Sequence, residues 1–294
     1  MKVLVIGSTG MLGQALMLEM KRRGIDVIGI ARSGADISCD IVDDRTLSNI
    51  ILSIKPQIII NSAAMVSLAK CEEKPDYAYL VNARPASILT EIARKSGIYF
   101  VQISTDHYYT GDCNIKHTEE HPIRLINEYS RTKYAAERFA LTNPNALVIR
   151  TNIVGFRNKI ETSTFVEWAI QNIENKSPMT LFDDYFISSI NVTQFSSALL
   201  DIIEKKTTGV LNVASREVFS KKTFICALAK KMAYSLNNIK IGSVFDAGDA
   251  SRAESIGLDV GKAEDILGYE LPTLDEVITS IVEEYEDGIK NEIR

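Results

Sequence analysis

Residues 2–16, KVLVIGSTGMLGQAL, limit the possible folds more than any other part of the chain. An apolar run of strand length leads directly into Gly7, Gly10 and Gly13, and apolar residues at helical spacing then continue to Gly24. A strand, a tight turn and a helix in immediate succession are the context that a GxxGxxG pattern needs to bind a dinucleotide. Residues without side chains let the backbone approach a pyrophosphate closely. The start of the helix then offers free N–H groups and the positive end of its dipole. The same pattern could also be a glycine-rich turn without a ligand.

The alternation continues along the first half. Strands are expected at DVIGIA, QIIINSA, IYFVQIS and ALVIRT, and helices at TLSNIILSIK, at DYAYLVNARPASILTEIARKSG with a break or fresh start at Pro85, and from Glu128 onward. Strands this apolar on both faces, separated by helices, indicate a parallel sheet covered on both sides and doubly wound. Beyond Thr151 the rhythm loosens. Helices are expected at STFVEWAIQNIEN, TQFSSALLDIIEK, KKTFICALAKKMA and LDEVITSIVEEYEDGI, with GVLNVAS as a strand. The segments 155–161 and 243–262 read as irregular. The expected class is α/β, a doubly wound parallel sheet over residues 1–152, with residues 153–294 adding sheet elements and a smaller C-terminal substrate-binding lobe.

The net charge is −5, so there is no basic footprint for nucleic acid. No apolar run reaches membrane-spanning length and no export signal is visible, so a cytoplasmic location is expected. Cys39, Cys71, Cys113 and Cys226 show no CxxC spacing, and His107, His117 and His121 show no HExxH spacing. No metal site is therefore expected, and the thiols read as reduced and structural.

In NEYSRTKYAAERF, Tyr129 stands four residues before Lys133 at the head of a helix, so the two share a face. A free phenol has a pKa near 10, too high for easy proton exchange at neutral pH. A neighbouring ammonium would favour the phenolate, which would make Tyr129 a usable proton donor. QISTD supplies Ser104 and Thr105 as hydroxyls that could polarise a carbonyl, at the end of a strand where open parallel sheets hold their ligands. YxxxK by itself is a weak signal, and both residues could be ordinary helix surface. At the end of the second strand, Arg32 and Ser33 stand where a carboxylate would select a free ribose hydroxyl. A guanidinium there suits a 2'-phosphate and favours NADPH, with NADH possible.

Taken together, GSTGMLGQAL, CDIVD, INSAAM, KCEEKPDYAYLVNA, STD, YSRTK and LDVGKAEDILGYELPTL resemble the extended short-chain dehydrogenase/reductases, within them the dTDP-4-dehydrorhamnose reductase group. The resemblance runs along nearly the whole chain. It implies a Rossmann-type domain in which Gly10, Met11 and Leu12 touch the pyrophosphate and Asp40 and Ile41 flank the adenine. Ala63, Ala64, Met65 and Asn82 would join Gly7, Gly13, Arg32, Ser33 and Lys133 in the cofactor set. Thr105, Tyr129 and Lys133 would be the catalytic set, reducing the C4 ketone of a nucleotide-linked 4-keto-6-deoxy sugar with hydride from NADPH. A homodimer is possible by the same resemblance.

Asp106 is expected either to bind sugar hydroxyls or to cap a turn. The sugar side departs from the family pattern. His107 stands where a tyrosine is usual, Ala69 where an aspartate is, Ile153 where a tryptophan is, and FDDYFISSIN replaces a DQxGxPT loop. Retained redox chemistry on a different sugar is expected, with Thr151, Asn152, Asp184, Tyr185 and Arg252 as pocket candidates. Two other readings stay open: a sugar-nucleotide epimerase or dehydratase that retains NAD, and a non-catalytic binding subunit.

Overall fold

A computed structural model describes residues 1–157, 163–236, 238–246 and 252–292. Its first half runs β1 (Lys2–Ile6), α1 (Met11–Arg22), β2 (Asp26–Ala31), β3 (Ile37–Ser38), α2 (Asp44–Ile54), β4 (Ile58–Asn61), α3 (Leu68–Glu73), α4 (Pro75–Asn82), α5 (Arg84–Ser96), β5 (Tyr99–Ile103), α6 (Glu128–Ala140) and β6 (Ala146–Arg150). These strands form a seven-stranded, all-parallel sheet with the strand Gly209–Asn212, in the order Gly209–Asn212, β6, β5, β4, β1, β2, β3. The winding reverses between β1 and β4, and an open α/β sheet binds its ligand at the carboxyl ends beside that reversal.

Alternate residues of each strand feed two separate cores. Val3, Val5, Ile58, Ile60, Val101 and Leu147 pack with Leu12, Leu16 and Met20 of α1 and with Phe195, Leu199 and Ile202 of the helix Val192–Glu204. Leu4, Ile6, Ile59, Phe100 and Val148 pack with Leu47 and Ile51 of α2 and with Leu89 and Ala93 of α5. A period-two pattern that is apolar on both faces requires this double cover.

The lobe has its own core. Val166 and Ile170 of the helix Phe165–Glu174 meet Phe224 and Leu228 of Lys221–Lys231 and Val277 and Ile281 of Leu274–Glu292. Small two-stranded pairs tie it together, among them Met179–Phe182 with Ile239–Gly242.

The break expected at Pro85 falls between α4 and α5, with Pro85 in the first turn of α5, where its missing N–H costs nothing. Other elements depart from expectation. Helix α3, strand β3 and the Met179–Phe182 and Ile239–Gly242 strands were unanticipated. They are too short to show a periodicity. In the segments read as irregular, Val244–Asp246 is a 3₁₀ turn, and a short helix, Gly261–Leu267, begins where the second one ends. Residues 158–161 and 247–251 of those segments lie outside the described residues.

Candidate active site

Gly7 adopts φ +85°, and a Cβ on it would come within 2.7 Å of the Ala63 backbone nitrogen. Only glycine lets β1 turn this close to the segment leaving β4. A Cβ on Gly13 would come within 2.1 Å of the Gly7 carbonyl oxygen, so Gly13 seats α1 against the turn. Gly10 caps α1 without a side-chain hydrogen bond, which leaves first-turn N–H groups for an anion. Beside the turn lies a cleft of about 700 Å³ lined by Ser8, Thr9, Lys21, Ser33, Gly34 and Asp36 among others. The Ser8 hydroxyl is buried there with no partner among the described residues. This glycine cradle, the open N–H groups and the orphaned hydroxyl fit a dinucleotide.

Arg32 is exposed at the end of β2, and Ser33 lines the cleft. Sequence reasoning missed Asp36, which lines the same cleft and accepts a hydrogen bond from the Gly29 backbone at 2.7 Å. Asp40 turns back to accept from Val42 N at 3.2 Å, and Ile41 is buried in the core under β2 and β4. Met65 donates its backbone N–H to Asn82 Oδ1 at 2.7 Å, and Asn82 Nδ2 donates to Met65 O and to Thr132 Oγ1. Asn82 thus braces the Ala63–Met65 segment, itself expected to line the cofactor, against α6 through these bonds.

Asn127 and Ser130 form a capping box that fixes the start of α6. Tyr129 and Lys133 follow in its first two turns, 9% and 4% exposed. Tyr129 packs against Cys71, Ala78, Met65 and Leu68, with the His107 ring edge-on at 5.6 Å. Thr105 is buried at the carboxyl end of β5, where its hydroxyl accepts from His107 N at 3.2 Å and lies close enough to the phenol to pull its pKa down. Ser104 is turned away and donates to Glu137 Oε1 at 2.6 Å, so Thr105 alone of the two faces Tyr129. Lys133 Nζ donates to Ile103 O at 2.6 Å, and burial holds its pKa down at about 8.

The expected acidification of the phenol by Lys133 is absent. Burial pushes Tyr129 well above its ordinary value, the neighbouring Thr105 hydroxyl pulls it down, and the charge of Asp106 pushes it up. The ammonium is engaged with the strand carbonyl, and desolvation, which disfavours the charged phenolate, dominates.

Beside Thr105 lies a cluster of buried and half-buried ionisable groups. Asp106 accepts from Asn152 Nδ2 at 2.6 Å, and Asn152 Oδ1 accepts from Ser189 Oγ at 2.7 Å. Burial raises Asp106 to about 7, so the carboxyl is divided between donor and acceptor forms near neutrality. Burial, with the charges of Lys221 and Arg252, lowers His107 to about 4, and its Nδ1 is buried without a partner among the described residues. Lys221 lies over the rings of Phe165 (3.8 Å) and Tyr185 (5.1 Å), and burial lowers it to about 8. Sequence reasoning missed Lys221 because it is the first of two adjacent lysines at the head of a helix, which reads as solvated surface.

Asn152 braces Asp106. The Thr151 hydroxyl is buried and unpartnered among the described residues. Asp184 accepts from Ser243 Oγ and Val244 N, so it caps that turn.

Asp106 carries a pH prediction. Its folded pKa lies above its ordinary 3.8, so its contribution is full below that value and is lost as pH rises toward 7. Asp106→Asn can still accept from Asn152. It is expected to be more stable than the parent by about 1–4 kcal/mol at pH 8 and equal to it near pH 4. Thermal melts across that range measure the difference, and a constant offset at all pH values contradicts it.

The family described as RmlD substrate binding domain matches residues 1–287. The chain is 27% identical to the spore coat polysaccharide biosynthesis protein SpsK of Bacillus subtilis over 78% of this chain and 79% of that one. It is 24% identical to the probable low-salt glycan biosynthesis reductase Agl14 of Haloferax volcanii over 98% and 99%. Among solved structures, dTDP-4-dehydrorhamnose reductase from Bacillus anthracis in complex with NADP superposes with a TM-score of 0.86 at 24% identity, covering 96% of this chain and 99% of that one.

Proposed function

The chain belongs to the RmlD substrate binding domain family, and from that premise we propose that it is an NADPH-dependent oxidoreductase that reduces the C4 ketone of a nucleotide-linked 4-keto-6-deoxy sugar. The observation that carries the reading is the convergence of Thr105, Tyr129 and Lys133 at the carboxyl end of β5, each less than a tenth exposed. Bound NADPH supplies the hydride. As charge grows on the ketone oxygen, Thr105 and Tyr129 hydrogen-bond it and Tyr129 delivers the proton. The raised pKa of the buried phenol keeps it protonated until the oxyanion develops. Lys133 uses one of its three N–H donors on Ile103 O, which leaves two for ribose hydroxyls. Asp106, His107 and Lys221 face the sugar nucleotide and bear on its specificity. A homodimer is the assembly expected from the family, which sedimentation tests. All four cysteines are free and no described helix is long and apolar enough to cross a membrane, in keeping with the cytoplasmic location we propose.

Purified protein is expected to consume NADPH with at least one of the dTDP-, GDP-, UDP- or CDP-linked 4-keto sugars, read as loss of nicotinamide absorbance. No consumption with any of them counts against the reading. Arg32 bears on cofactor choice. Arg32→Ala is expected to lower kcat/KM for NADPH about tenfold, the scale of one exposed charge-assisted hydrogen bond, with little change for NADH. An equal loss with both cofactors would mean that Arg32 does not read the 2'-phosphate.

A further inference from the structure

Three side chains outside this site bring their ligand atoms together: Asp112, His117 and His121, all within 4.8 Å of one another. None was expected to bind metal. His117 is fully buried, and its ring stacks on Tyr109 at 4.0 Å between centroids and 4° between planes. Its Nδ1 is 2.8 Å from Gly257 O. A carbonyl only accepts, so Nδ1 carries the hydrogen and a neutral ring has a bare lone pair on Nε2. That lone pair faces Asp112 Oδ2 at 3.3 Å, and His121 Nε2 lies 3.9 Å from the same oxygen. Acceptors facing one another need a cation between them, either a proton on imidazole or a metal ion.

The geometry points to the metal: we propose that Asp112, His117 and His121 form a three-ligand site for a divalent transition ion of the zinc type. Tetrahedral bonds of about 2.0–2.1 Å set ligand atoms roughly 3.3 Å apart, the separation already found between His117 and Asp112. His121, 36% exposed and edge-on to the His117 and Tyr109 rings, is the ligand that has to move inward. The H-x₃-H spacing of the two histidines is a zinc-ligand spacing. The hydrogen bond from Nδ1 to Gly257 O is the kind of outer partner that orients a ligating imidazole. The exposed sides of Asp112 and His121 leave a fourth position for water.

The ion's place in the fold defines its role. His117 N donates to Gly257 O, Asp259 N donates to His117 O, and Asp112 N donates to Ser255 Oγ. The 110–121 loop is thereby tied to the segment that follows Arg252. A metal there locks that loop from outside the catalytic set and supplies no chemistry to the reduction.

Untagged, metal-free full-length protein titrated with Co²⁺ tests the site. One equivalent is expected to bind with visible d–d bands of tetrahedral intensity, to be displaced by Zn²⁺, and to raise the melting temperature. His121→Ala, at a half-exposed position, is expected to weaken Co²⁺ binding at least tenfold, as is Asp112→Asn, while Cys113→Ser leaves it unchanged. Circular dichroism checks that each variant is folded. Wild-type protein that binds no Co²⁺, or His121→Ala with an affinity within twofold of wild type, overturns the site and leaves a proton between the imidazoles and the carboxylate.

Discussion

Tyr129→Phe is expected to reduce turnover of a 4-keto sugar nucleotide by about 10²–10⁴-fold, the usual contribution of a positioned proton donor. The substitution removes one oxygen from a side chain packed among Cys71, Ala78, Met65 and Leu68. The ring contacts stay, so little loss of stability is expected. NADPH affinity, followed by fluorescence quenching, is expected to hold within about threefold. Thr105→Val is expected to lose less than Tyr129→Phe, because it removes one of two hydrogen bonds to the developing oxyanion and leaves the proton source intact. If Tyr129→Phe turns over at wild-type speed, the proton comes from elsewhere. Asp106, half-protonated near pH 7, is then the neighbour to examine.

The largest expected loss of stability lies beneath this site. Arg150, at the end of β6, donates to both oxygens of Glu137 on α6, at 3.1 and 2.9 Å, and both side chains are almost completely buried. Ser104 donates to the same carboxylate, and the guanidinium also reaches Tyr109 OH and Glu119 O. Arg150→Met would leave Glu137 charged and unpaired in the interior, at a cost of about 3–5 kcal/mol. For a chain of this length that corresponds to a fall in melting temperature of roughly 5–8 °C. Adding Glu137→Leu is expected to return much of the loss, because an apolar pair has no charge to strand. If the double variant melts no higher than Arg150→Met, the cost comes from the surrounding contacts of Ser104, Tyr109 and Glu119 and not from the isolated carboxylate.

What could be read in the sequence follows from the range of the physics involved. The glycine turn is a local steric requirement, and Gly7, Gly10 and Gly13 announce it within seven residues. The doubly wound sheet is legible because strands buried on both faces are apolar throughout. Tyr129 and Lys133 are legible as a pair because helical spacing puts them on one face. Their electrostatic relation is not, because whether an ammonium reaches a phenol or a strand carbonyl depends on where β5 ends.

The sugar side was the least legible part. Lys221 reaches Phe165 and Tyr185 across more than thirty residues of chain. Asn82 and Asn152 are singled out in the sequence as site candidates, and their amides brace Met65 and Asp106. Asp36 is separated from Gly29 by the turn that joins β2 to β3, and nothing local marks it as lining the cofactor cleft. Of the three metal-ligand candidates only the H-x₃-H pair of His117 and His121 is legible locally, and Asp112 joins it where the loop pairs with Gly257 and Leu258.

The central claim is that the buried trio directs hydride onto a sugar ketone while the phenol supplies the proton. It is tested most directly by running the reaction with NADPH deuterated at the nicotinamide C4 and locating the label in the product by NMR. The account predicts one deuterium at the former ketone carbon, with none elsewhere on the sugar, and a signal that falls with turnover in Tyr129→Phe. Consumption of NADPH that leaves the sugar unlabelled, or label at any other ring carbon, would contradict it.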